Sequence, residues 1–223
     1  MLSRRFLWIG VLLVFLGASN AALSHAATIS VINQTYQIGG GTSNNSISQS
    51  SSTPPLSGSV AELGEQVFLI ADGAVSLSSG FIFAGVDVTG GGGGVASAIL
   101  DFRPSMSSWL MLTTSGAYFP GEGNGQVQLV NLTDNVSLLN YGGVPDFFLG
   151  TNILAGSFTF LIDPSKAYRL EVDAGQGGPD FADARIDFLI AAVPEPATIW
   201  LLVSSLAGCA IAQRKLSPKS QSI

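Results

Sequence analysis

An all-β fold, an antiparallel β-sandwich of jelly-roll-like form, is what this sequence predicts for the body of the chain. Three observations carry that prediction. Short apolar segments recur between clusters of glycine, proline, asparagine and serine. Several alternate apolar and polar residues with the period of two that marks a half-buried strand. No sustained helical period appears in the body, nor a fixed repeat of the kind a propeller or solenoid needs. With 27 glycines in 223 residues, the composition is too glycine-rich for a helical bundle, and at 47% hydrophobic it is too apolar for disorder.

The expected strands, in order, are Thr28–Asn33, Gln66–Ala71, Val75–Phe83, Val95–Phe102, Trp109–Thr114, Gln126–Leu132, Ser157–Asp163, Ala167–Asp173 and Ala184–Ile190. Phe158, Phe160 and Ile162 share one face of their strand. Tyr168, Leu170 and Val172 face a core while Arg169 and Glu171 face water; Ile186, Phe188 and Ile190 likewise oppose Arg185 and Asp187. Asp163-Pro164-Ser165-Lys166 reads as a hairpin turn between two strands. Gly39 to Ser59 is polar and reads as a flexible loop separating the first strand from the main sheet. The five glycines from Gly90 to Gly94 lack the Gly-Lys-Ser/Thr ending of a phosphate loop and read as a turn between strands.

Both ends read as addresses. Arg4 and Arg5 precede an apolar run from Phe6 to Gly17, and Ser24-His25-Ala26 places small residues at both positions a signal peptidase reads. Residues 1–26 are therefore expected to be a secretory signal peptide cleaved after Ala26. The run of about a dozen residues is too short to cross a bilayer core, which takes about 20.

The other end carries Val193-Pro194-Glu195-Pro196, then an apolar segment whose only polar residues through Ala212 are Thr198, Ser204 and Ser205. Residues 197–212 are expected to form a transmembrane helix of roughly 24 Å. Arg214 and Lys215 act as a basic stop that holds the tail, 217–223, in the cytoplasm. Pro194 and Pro196 force an extended link between body and helix, and Glu195 marks its outer boundary. This order, Pro-Glu-Pro then apolar helix then basic end, resembles the PEP-CTERM sorting signal over residues 193–216. The resemblance implies a Gram-negative, exopolysaccharide-making host. It also implies that an exosortase-like membrane protease acts near the motif after export through the secretion translocon. The protein would then pass from an inner-membrane-anchored precursor to the cell surface or extracellular matrix.

Between the ends, residues 27–192 form the expected sandwich domain. It carries fourteen acidic residues against four basic ones, Arg103, Lys166, Arg169 and Arg185, for a net charge of −10. Such a body repels nucleic acid phosphates, so nucleic acid is excluded as a partner. The only histidine, His25, lies in the signal and the only cysteine, Cys209, in the membrane segment. Imidazole- or thiolate-based catalysis, zinc sites and intramolecular disulfides are excluded with them.

Carboxylates and aromatics remain. Asp173, Asp180 and Asp183 in "DAGQGGPDFAD" are the calcium candidates, because calcium takes oxygen ligands; the stretch does not follow EF-hand spacing, and turn residues bonded to local backbone are the alternative. Trp109, Tyr118, Phe119, Tyr141, Phe147 and Phe148 are candidates for stacking sugars, although most sandwich aromatics fill the core. The expected function is that of an exported, non-enzymatic protein with a structural or adhesive role in the envelope or polysaccharide matrix. The alternatives are a lectin-like carbohydrate-binding module and a carboxylate-dependent glycan hydrolase or lyase.

Overall fold

Fifteen strands and no helix make up the described part of the computed structural model, which covers residues 26–119, 123–146 and 150–193. The signal peptide, Pro194–Pro196, the expected transmembrane helix and the basic stop lie outside these residues. Ala26 stands exposed ahead of the first strand. Ala27–Ala191 forms one compact unit.

The strands sort into two antiparallel sheets. Six strands form the first: β1 (Ile29–Gly41), β2 (Ser46–Ser51), β6 (Gly93–Pro104), β9 (Gly123–Asn131), β10 (Val136–Tyr141) and β14 (Tyr168–Gln176), in the order β10-β9-β14-β6-β1-β2. The second contains β3 (Leu56–Glu62), β4 (Glu65–Val75), β5 (Ser79–Thr89) and β15 (Phe181–Ala192). Short β8 (Ala117–Tyr118), β11 (Val144–Asp146) and β12 (Thr151–Ile153) extend it, and β7 (Ser108–Ser115) pairs both β15 and β13 (Gly156–Ile162). Strands β1, β6 and β14 of the first sheet pack on β4 and β5 of the second, giving a sandwich-like arrangement.

The core is what the period of two demands. Leu129, Leu170 and Leu100 lie in one row across β9, β14 and β6, all at 0% exposure. Val67, Leu69, Ile82 and Ile186 face them from the second sheet, equally buried. Tyr36 is buried against Gly73, where a Cβ would come within 2.6 Å of its hydroxyl. Burial, then the nearby Asp72 charge, pushes that hydroxyl's pKa up.

Four expectations are corrected. Residues 39–59 are not a free loop: they hold the end of β1, all of β2 and the start of β3. Both new strands lie at sheet edges, where one ladder of backbone bonds suffices and serine is tolerated. Ile47 of β2 still points inward, since a Cβ on Gly58 of β3 would strike both Ile47 and Ile38. Strand β1 accordingly runs past Asn33, with a bulge between Val31 and Asn33 that resets its alternation so that Tyr36 and Ile38 face the core.

Val75–Phe83 is not one strand. Val75 ends β4 and β5 begins at Ser79, because Ser76 turns the chain: its Oγ accepts from Ser79 N at 3.2 Å and its amide donates to Ser79 O at 2.8 Å. Asp163–Lys166 is a tight turn, with Asp163 Oδ1 accepting from Ser165 N at 2.8 Å, but not a hairpin. Its flanking strands belong to different sheets, β13 pairing with β7 and β14 with β6 and β9. Finally, β8, β10, β11 and β12 were not foreseen; all but β10 are three residues or fewer, too short to show a period. The glycine run behaves as expected at its start, Gly90 and Gly92 having positive φ, while Gly93 and Gly94 open β6.

Candidate functional site

The outward face of the six-stranded sheet collects polar side chains into registered rows. One row reads Gln37, Ser97, Asp173, Gln126 across β1, β6, β14 and β9. The next reads Thr35, Ile99, Glu171, Gln128, Asn140 and reaches β10. A third brings Asn33, Asp101 and Arg169 together. The cause is local: each of these strands alternates, so fixing Leu170, Val172 and Val127 in the core turns Arg169, Glu171, Asp173, Gln126 and Gln128 outward.

The charges on this face are unevenly satisfied. Arg169 grips Asp101 with two bonds, Nε to Oδ1 at 2.7 Å and Nη2 to Oδ2 at 3.0 Å. That hydrogen bond raises the Arg169 pKa further. Glu171 and Asp173 belong to no ion pair among the described residues. Burial is the first cause that raises both carboxyls above the ordinary range. For Glu171 the Asp173 charge adds to it and Arg169 offsets part; for Asp173 a hydrogen bond from Ser97 offsets part.

The linkage has a definite sign. A folded-state pKa above the unfolded value means the folded protein holds more protons, so these two groups favour folding fully below the unfolded carboxyl range. That contribution is lost as pH rises through their raised values. Asp173→Asn and Glu171→Gln are therefore expected to raise Tm at neutral pH and to lose that advantage in acid. Calorimetry across pH checks this; each kcal/mol appears as about 2–4 °C in a unit of this size. Equal Tm at neutral pH would contradict it.

Beyond Asp173 the face ends in a trough paved with glycine. Its outward row is Gly39, Val95, Gly175, Asn124; in the next row along, Gly40, Gly94, Gln176, Gly123, the side-chain positions face the other sheet. The space they line amounts to about 590 Å³. Only Gly39 and Gly175 of the outward row lack a side chain, and there the strand backbone comes to the surface. Val95, 61% exposed, stands as an apolar wall, and Asn124 Oδ1 leans over Gly175, lying 2.3 Å from where a Cβ would be. Gln176 is 3% exposed; its Nε2 donates to Gly178 O at 3.3 Å and its Oε1 has no partner among the described residues.

The residues expected from sequence fall elsewhere, with one exception. Asp173 lies on this face, but Asp180 and Asp183 do not join it. Asp183 stands on β15 in the other sheet, its Oδ1 accepting from Ala117 N at 2.6 Å. Asp180 sits in the connecting turn, its Oδ1 accepting from Phe181 N at 3.2 Å. Among the described residues no three His, Cys, Asp or Glu converge to hold a metal. The alternative reading, a turn residue bonded to local backbone, describes Asp180; Asp183 lies within β15 and its backbone partner is remote in the chain.

The aromatics are likewise dispersed. Tyr118 Oη donates to Gly142 O at 2.8 Å and accepts from Asn152 at 2.8 Å; Tyr141 Oη donates to Ala155 O at 2.9 Å. Phe119 packs edge-on against Phe181. Trp109 is 40% exposed on β7, in the other sheet, beside Leu161. Phe147 and Phe148 lie outside the described residues. Sequence reasoning passed over Gln126, Gln128, Asn140 and the glycine trough. The signal for two of them is the alternating "QVQLV", whose polar half marks one face of a strand. No family model matches this chain. No curated protein matches it either.

Proposed function

We propose that this is an exported, non-enzymatic protein whose jelly-roll-like sandwich serves a structural or adhesive role by lying against extracellular polysaccharide. The observation that carries the reading is the outward face of the six-stranded sheet, with its registered rows of amides and carboxylates. Amide and carboxylate groups in registered rows suit a hydroxyl-rich chain, which bonds many modest partners along its length. Consecutive strands cross between sheets from β5 to β6 to β7 and from β13 to β14 to β15, which supports the jelly-roll-like form.

Delivery rests on the sequence: a signal peptide ending at Ala26, the PEP-CTERM-like Val193-Pro194-Glu195-Pro196, a membrane helix and the Arg214-Lys215 stop. The secretion translocon and an exosortase-like protease are the proposed handlers. Fractionation tests this. The full chain is expected in membranes as a precursor beginning at Ala27. A form lacking residues 193–223 is expected in the soluble exported fraction. Full chain found in cytosol with Met1 in place would overturn the reading.

A second reading, a carboxylate-dependent glycan hydrolase or lyase, is favoured by Glu171 and Asp173, whose pKa values are both raised. Two residues apart on one strand, their Cα atoms lie about 7 Å apart. They approach a ligand from one side, however, whereas a glycosidase pair flanks the scissile bond. Release of reducing ends, abolished in both Glu171→Gln and Asp173→Asn, would decide for this reading.

A further inference from the structure

We propose that the end of the sandwich from which β15 runs out toward Val193 is a membrane-docking surface whose partner is an anionic phospholipid bilayer. The inference rests on the membrane-anchored precursor proposed above and adds how the folded unit meets the lipid.

Backbone bonds define that end. In the turn between β4 and β5, Leu77 O accepts from Ile29 N at 2.7 Å, which ties in the start of β1. Ser78 O accepts from Ile190 N at 2.8 Å, which ties in the end of β15. Four large apolar side chains are exposed from that turn across β15, β7 and β13. Leu77 stands in the turn itself, 69% exposed. Leu189, opposite Ser79 of β5, points outward because Phe188 and Ile190 on either side of it are buried. Trp109 of β7 and Leu161 of β13 are direct cross-strand partners, and both point outward because Leu110 and Ile162 are at 0% exposure. Strand β7 also pairs with β15, so the four residues follow one margin of the nine-stranded sheet. A tryptophan among leucines suits the lipid interface, which takes the apolar ring and leaves its N–H a polar partner.

Chain length and charge say what covers this margin. Ala192 ends β15, and the apolar segment expected to cross the membrane begins at Ala197. Five extended residues reach at most about 18 Å, so the linker keeps this end, and not the opposite one, within reach of the bilayer. On the six-stranded sheet's side of this end, Arg103, Lys166 and Arg169 are matched in number by Asp101, Asp134 and Asp163. On the other sheet the nearest charge, Asp187, is paired with Arg185. These eight charges cancel, so the whole net charge of −10 is carried by the other ten acids. An anionic surface repels those acids and leaves this end to face it. Arg103 is exposed and belongs to no ion pair among the described residues, which offers a cation to a lipid phosphate.

The three tryptophans, Trp8, Trp109 and Trp200, make the test direct. Full chain carrying Trp8→Phe and Trp200→Phe keeps Trp109 as its one indole. A second form carrying Trp8→Phe and Trp109→Phe keeps Trp200, inside the expected membrane segment. Each is reconstituted in vesicles of phosphatidylethanolamine and phosphatidylglycerol, with plain or brominated acyl chains, and emission is compared. Bromine is expected to quench both tryptophans. Leu161→Glu with Leu189→Glu, both at exposed positions, is expected to abolish quenching of Trp109 and to leave Trp200 quenched. Leu63→Glu, at the opposite end and 100% exposed, is expected to change neither.

Trp200 quenched with Trp109 untouched would overturn the docking surface and leave the anchor standing. If neither is quenched, both fall. Trp109 quenching that survives the double glutamate variant would mean that the tether alone brings it to lipid, and refutes the surface. Trp109 shielded from acrylamide yet untouched by bromine would mean that a second copy covers the margin, which refutes it as well.

Discussion

Leu170→Ala lowers the stability of the folded unit by about 3 kcal/mol, within the range of roughly 2–5 for a buried leucine cut back to alanine. Leu170 sits at 0% exposure in the middle strand of a row, between Leu100 on β6 and Leu129 on β9. Its side chain cannot be replaced by movement of either neighbour, because both are themselves fully buried and held by ladders on two sides. The loss therefore combines lost burial with a residual cavity. In a unit of this size it corresponds to a fall in Tm of roughly 6–12 °C. Leu161→Ala supplies the contrast: Leu161 is 59% exposed on β13, and its loss is expected to move Tm by about 1–2 °C. Thermal unfolding of both variants checks the pair. Equal losses would mean that the inward row is not the core.

Gly90→Val is the second large effect. Gly90 has φ of +79° and turns the chain from β5 in one sheet to β6 in the other. A Cβ there would lie 2.1 Å from Gly64 O, in the turn between β3 and β4. Valine thus meets two penalties. The left-handed conformation costs about 1–2 kcal/mol, and the clash with backbone adds roughly 1–3. Gly64 separates them. It has the same φ, +79°, but a Cβ there finds nothing within 4 Å, so Gly64→Ala is expected to cost about 1 kcal/mol through conformation alone. Denaturant unfolding that found the two equally costly would show that the close approach of Gly64 O to Gly90 adds no penalty.

These two predictions mark how unequally the fold was legible. The inward rows around Leu170 and Ile186 were readable because a half-buried strand writes its burial in its own alternation. The edge strands β2 and β3 were not, since an edge is stabilised by backbone bonds that any residue supplies and their inward positions carry few large apolar side chains. The turn at Asp163 was readable as a turn. That its strands part into different sheets was not, because partner choice depends on packing between residues remote in the chain.

The candidate face shows the same division. Arg169 and Glu171 facing water, and the absence of histidine and cysteine from the body, follow from the sequence itself, as do the acidic balance and the two signal-like ends. Alternation and composition are properties of each segment alone. Only the tertiary structure set Gln126 beside Asp173 and Glu171 beside Gln128. It also brought glycines from β1, β6, β14 and β9 together. It separated Asp183 from Asp173 though they are ten residues apart, by sending β14 and β15 to opposite sheets. Antiparallel register joins residues by hydrogen-bond partner and not by distance along the chain. A surface assembled across four strands therefore has no signature in any one of them.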